Sequence, residues 1–77
     1  MDWRERIESK PDVVQGRQCI KGTRIPVSVV LDNLAAGLSA ESIVSSYPSL
    51  KPEDIRAAVA YAAELARDRV LELHHSA

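Results

Sequence analysis

Apolar residues recur at helical spacing through the second half of the chain. Val27, Val30, Leu31 and Leu34 fall at i, i+3, i+4 and i+7, the spacing that places side chains on one face of a helix. Ala40, Ile43, Val44 and Tyr47 repeat the pattern, and so do Ile55, Ala58, Val59 and Ala62. Gly37 and the pair Tyr47-Pro48 interrupt it, so the chain reads as two short helices and one long one whose apolar faces bury one another. The expected core is Leu31, Leu34, Ile43, Ile55 and Val59. Ser28 is a plausible N-cap of the first helix, and Gly37 fits its C-terminal left-handed position. Ser39 caps the second helix, with Glu41 in its first turn. Pro52, Glu53 and Asp54 open the third, which leaves Lys51 at its N-cap without a side-chain acceptor for the exposed amides. Six alanines between Ala57 and Ala66 carry that helix toward Leu73, over about 30 Å.

The first 26 residues show no such period. Met1 to Lys10 intersperses charge with Trp3 and Ile7, which share a face whether the segment is helical or extended. Trp3 serves either as a cover for a core edge or as an anchor for a partner. Pro11 stops any helix, and Asp12 to Ile20 reads as two short β runs around the turn at Gly16. Lys21 to Pro26 is a loop leading into the first helix. The fold class that follows is mainly α: a three-helix helix-turn-helix bundle preceded by a short β-hairpin. We expect a single domain over 1–77, with an arm and hairpin over 1–26 and the bundle with its long C-terminal helix over 27–74.

Seventy-seven residues bury only about 60% of their unfolded surface, so stability margin is small and a second copy would help. The third helix outruns the first two while still carrying Leu65, Ala66, Val70 and Leu73, and the hairpin has open edges; both features lead us to expect a homodimer. A lone Cys19, the lack of a secretory apolar segment and the lack of any membrane-length apolar run suggest a cytoplasmic protein with no membrane partner. Cys19 reads as a packing residue.

The formal charge of −1 constrains nucleic-acid binding, because a protein that displaces phosphate counterions alone usually carries a basic excess. Any DNA contact must come from local patches. In a helix-turn-helix unit the start of the last helix meets the major groove, where Lys51 and Arg56 are the useful donors and Glu53 and Asp54 oppose them. The alternative reading of that turn is a solvated cap. Lys21 and Arg24, with Arg17, Arg4 and Arg6, form a second candidate basic patch; Arg24 equally suits tying its own loop to a carbonyl or carboxylate. His74 and His75 are adjacent and diverge on a helix, so they do not chelate one ion. No nucleophile-base pattern, phosphate-cradling glycine loop or metal-ligand spacing is present, which argues against an enzyme, a metal site and a cofactor.

The blocks Gly16-Arg17, Ile20 to Val27 (IKGTRIPV), Ala36 to Ser39 (AGLS), Tyr47 to Leu50 (YPSL) and Pro52 to Ala58 stand in an order and spacing that resemble domain-of-unknown-function family four-three-three. The similarity runs from about Ile7 to Ala63. It implies a small bacterial or archaeal protein with a β-hairpin ahead of a helix-turn-helix bundle, often regarded as an antitoxin and commonly paired with a PIN-like ribonuclease toxin. Gln18-Cys19 and Lys51 depart from the family, which tends to have a proline and an aliphatic residue at the first site and a capping Thr or Ser at the second. The leading expectation is therefore an antitoxin-like regulator that binds operator DNA and a PIN-like toxin. The alternative is a dimeric protein-protein interaction module that does not read DNA.

Overall fold

The computed structural model describes residues 2–9 and 18–68. In chain order it contains a 3-10 turn at Trp3–Glu5, strands β1 (Ile7–Ser9) and β2 (Gln18–Ile20), and helices α1 (Val27–Ala35), α2 (Ala40–Ser46) and α3 (Pro52–Asp68). The architecture is mainly helical, three helices behind a two-stranded antiparallel sheet, as the apolar periodicity predicts. Among the described residues no helix is long and apolar enough to cross a membrane.

The sheet corrects one expectation. The strand opposite Gln18–Ile20 is Ile7–Ser9, in the register Ile7 to Ile20, Glu8 to Cys19 and Ser9 to Gln18. The run expected at Asp12 to Val14, and the turn at Gly16, lie outside the described residues. What selects the upstream strand is burial: Ile7 and Ile20 face each other and both enter the core, and Cys19 is buried next to them. Glu8 adds a carboxylate acceptor for the Gly22 amide at 3.3 Å.

Helix ends follow their chemistry, with one exception. Ser28 does not cap α1; the helix begins at Val27, after Pro26 in extended conformation with no side-chain cap. The chain arrives extended because Pro26 bridges Cys19 and the Ile20 amide donates to the Ile25 carbonyl at 2.9 Å. The turn into helix is immediate, and Val27 is buried as its first residue. At the other end Gly37 takes φ +95°, with its amide on the Leu34 carbonyl and the Leu38 amide on the Asn33 carbonyl. That paired closure of the last turn requires a left-handed residue, which glycine adopts without a Cβ penalty. Ser39 caps α2 by accepting from the Ser42 amide at 3.1 Å. A turn after Tyr47, closed by the Leu50 amide on the Tyr47 carbonyl, delivers Leu50 into the core.

The core consists of Ile7, Cys19, Ile20, Val27, Val30, Ile43, Leu50, Ile55, Ala57 and Ala58. Leu31 and Leu34 are half-buried against it rather than inside it. Val59 was expected in this cluster and is 48% exposed. The inward face of α3 is Asp54, Ile55, Ala57, Ala58 and Tyr61: the predicted Ile55 and Ala58 lie on it, while Val59 is exposed and Ala62 half-buried. A carboxylate, Asp54, shares this face, and apolar periodicity has no means of counting it in, so the expected face is centred too far toward Val59.

The N-terminal segment lies along α3. Trp3 stacks edge-on against Tyr61, with ring centroids 4.9 Å apart, and its indole N–H donates to Glu64 Oε1 at 2.9 Å. Arg4 sits 4.6 Å above the Trp3 ring and donates to Glu64 Oε2 at 2.7 Å. Trp3 is therefore a cover on the core edge. It shields part of the distal half of α3, although Leu65 stays 41% exposed; Val70 and Leu73 lie outside the described residues. The unsupported apolar face that suggests a dimer in the sequence is thus partly supplied by the chain's own start.

Ile43 is 1% exposed, so Ile43→Ala should cost about 2–5 kcal/mol, whereas Val59→Ala should change stability by about 0.5 kcal/mol or less. Urea unfolding followed by circular dichroism checks both. Equal costs at the two positions would mean that the register of α3 is wrong.

Candidate functional site

The first turn of α3 is built around Asp54. Lys51 stands before the helix with no side-chain acceptor, and Asp54, three residues on, reaches back to supply one: the Lys51 amide donates to Asp54 Oδ2 at 2.9 Å. The Asp54 amide returns the contact to the Lys51 carbonyl at 2.9 Å. This is the acid half of a capping box; the other half, a side-chain acceptor at the cap, is what Lys51 lacks. The other carboxylate oxygen, Oδ1, accepts from Arg6 Nη1 at 3.0 Å. Asp54 is 5% exposed, and two charge-assisted donors offset the cost of taking its charge out of water.

The predicted basic residues divide around this pair. Lys21 lines a cleft of about 240 Å³ with Glu5, Arg6 and Asp54, and its amide donates to the Arg6 carbonyl at 2.7 Å. Lys51 joins the same corner through its amide, with its side chain exposed. Arg56 does not join it: two residues beyond Asp54 it points about 200° around the helix, and it is exposed. Arg24 is exposed on the loop after β2. That loop is held internally, by the Thr23 hydroxyl donating to the Ile20 carbonyl at 2.8 Å and accepting from the Ile25 amide at 3.0 Å. Gly22 supports the bend with φ +81°.

The N-terminal arginines do not add to a basic patch. Arg6 is paired with Asp54 and Arg4 with Glu64, while Arg17 lies outside the described residues, as do His74 and His75. Glu64 is held below its ordinary carboxylate range chiefly by the Trp3 indole hydrogen bond; partial desolvation pulls the other way, and the charges of Arg4 and Arg67 add to the lowering. Sequence reasoning placed Arg6 in a basic patch and missed its pairing with Asp54, and it missed Glu64 and Tyr61, because these contacts join segments about 50 to 60 residues apart. Asp54 was legible as a first-turn acid, but its bond to the Lys51 amide was not, since the capping-box signature pairs Ser or Thr with Glu or Gln and the chain has Lys and Asp there.

Two further concavities are mainly apolar. One of about 210 Å³ lies between β2, α1 and α3, lined by Gln18, Val27, Ser28, Leu31 and Tyr61. The other, about 270 Å³, lies between α2 and the start of α3, lined by Ala40, Glu41, Val44, Ser45 and Pro52.

Asp54→Ala should cost about 2 kcal/mol or more, by removing the N-terminal cap and an ion pair together, and Asp54→Asn should cost less because its amide oxygen can still accept from Lys51. Chemical denaturation of the two variants gives the order, and an Asn variant no more stable than the Ala variant would refute the capping role. Glu64 has a lowered folded-state pKa, so its contribution is present above about pH 4.5 and is lost as pH falls through the folded value. The urea midpoint, read from Trp3 fluorescence, should fall more between pH 6 and pH 3 in the parent than in Glu64→Gln, where pH values are about those of the carboxylate range.

Comparison with known proteins gives a consistent match. The model of a protein family of unknown function, DUF433, matches residues 7–62. An uncharacterized protein, y4eO, from Sinorhizobium fredii is 44% identical over 59 residues, which make up 77% of this chain and 27% of that protein. The crystal structure of a DUF433 member from Anabaena variabilis superposes with a TM-score of 0.73 at 30% identity, covering 82% of this chain and 62% of that one. The chain thus spans less than two thirds of either relative's length. Its β-hairpin, three-helix unit and sequence blocks place it, by match and by fold, in the DUF433 family.

Proposed function

We propose that this chain is an antitoxin-like regulator that acts as a protein-binding module, engaging a PIN-like ribonuclease toxin, and that it does not read DNA by itself. The observation that carries this reading is the occupancy of the α3 N-terminus. A recognition helix offers its first-turn amides and side chains to phosphates and base edges. Here the Asp54 carboxylate already engages the Lys51 amide, and Glu53 stands exposed next to it. An anion approaching that turn meets two carboxylates. The neutralisation of Arg4 and Arg6 by acids of α3 and the net charge of −1 argue in the same direction. The apolar grooves beside α1 and α2 supply the kind of surface that a protein partner buries. Recurrence of the fold as part of longer relatives also suits a module that binds a partner.

The toxin itself comes from the resemblance of the sequence blocks to antitoxin-like proteins. A second reading, operator binding, is favoured by the exposed Lys51 and Arg56 on α3.

Co-expression with the product of the neighbouring reading frame, followed by co-purification and a ribonuclease assay, tests the first reading; the expected outcome is a complex in which a ribonuclease activity of that product is suppressed. In parallel, the isolated chain should show no salt-dependent binding to its own upstream DNA. Binding whose salt slope falls by about one per lost contact in Lys51→Ala with Arg56→Ala would establish the operator reading instead.

A further inference from the structure

The outward side of α3 carries an ordered set of charges, one of which, Glu64, also holds Trp3 and Arg4. With Asp54, Ala57, Ala58 and Tyr61 turned inward, the opposite side presents Glu53, Arg56, Ala60, Ala63 and Arg67, with Val59 exposed at one margin and Glu64 half-buried at the other. The charges invert about Ala60. Glu53 stands seven positions before it and Arg67 seven after; Arg56 stands four before it and Glu64 four after.

We propose that this face docks a second copy of the chain, the two α3 helices packing antiparallel about a twofold axis at Ala60. In that arrangement each residue meets the one equally far beyond the axis in the other copy. Glu53 then faces Arg67 of the second copy, and Arg56 faces Glu64, which keeps acceptor capacity beyond its bonds to Trp3 and Arg4. Symmetry doubles both pairs, along about 21 Å of helix. Ala60 on the axis lets the helices approach to about 8 Å. A parallel pairing sets Glu53 on Glu53 and Arg67 on Arg67, so charge alone selects the antiparallel one. A second copy of the same helix carries this inverted order. The interface does not depend on the identity of any toxin.

Sedimentation equilibrium at low salt, from micromolar to millimolar chain, reads the outcome. The parent should rise toward the mass of two chains. Glu53→Arg and Arg67→Glu each put like charges at both ends of the contact and should weaken self-association about tenfold or more. Both positions are exposed, so circular dichroism should show an unchanged fold. An equimolar mixture of the two variants restores opposite charges at both ends and should recover a heterodimer. Ala60→Cys should form a disulfide-linked dimer under mild oxidation, since Cys19 is buried and does not compete. A parent that keeps the mass of one chain throughout overturns the proposal. So do single variants that associate as the parent does, or a mixture that fails to recover association.

Discussion

A buried carboxylate holds this small protein together at the point where its two halves meet. Asp54 sits at the start of α3 with one oxygen on the Lys51 amide and the other on Arg6, and it is 5% exposed. Burying an ionised group is expensive unless every acceptor is used, and here both oxygens are. One contact begins the longest helix of the chain; the other fixes the N-terminal segment onto that helix. Arg6 in turn lies next to β1, and its carbonyl accepts from Lys21 as the chain leaves β2. The sheet, the loop after it and α3 thus share one corner.

From that corner the N-terminal segment runs back along α3 to Glu64. Trp3 and Arg4 both end on the same carboxylate, and the indole packs on Tyr61. The aromatic contact contributes apolar burial, while the carboxylate orients it. A chain of this length has little core to draw on, so a strap that closes the open side of α3 adds stability at low structural cost. Leu65 and Val59 remain exposed beyond it.

The same ion pairs shape what the surface can bind. Arginines that read as a basic patch along the chain are matched by acids of α3 once it folds, so their field at a distance largely cancels. What remains exposed on α3 is a mixture of signs, Glu53 with Arg56 and Arg67, around small side chains. A polyanion gains little from a mixed surface, whereas a protein partner with its own ordered charges can match one.

Local chemistry was sufficient to fix three of the helix ends. Gly37 needs no tertiary contact to end α1, nor Ser39 to cap α2, nor Pro52 to open α3, because each acts on backbone within a few residues of itself. The order of the IKGTRIPV, AGLS and YPSL blocks likewise determined the family. Tertiary structure decided the rest. Val59 and Ala58 are equally apolar neighbours, and only the docking of α1, α2 and the N-terminal segment chooses which of them turns inward. Ile7 becomes the partner of Ile20 because both reach the core, a contact that no local pattern encodes. Arg4, Arg6 and Trp3 look available in the sequence, and the fold commits them to Glu64 and Asp54, since a pairing across some 50 to 60 residues exists only after the segments between have packed.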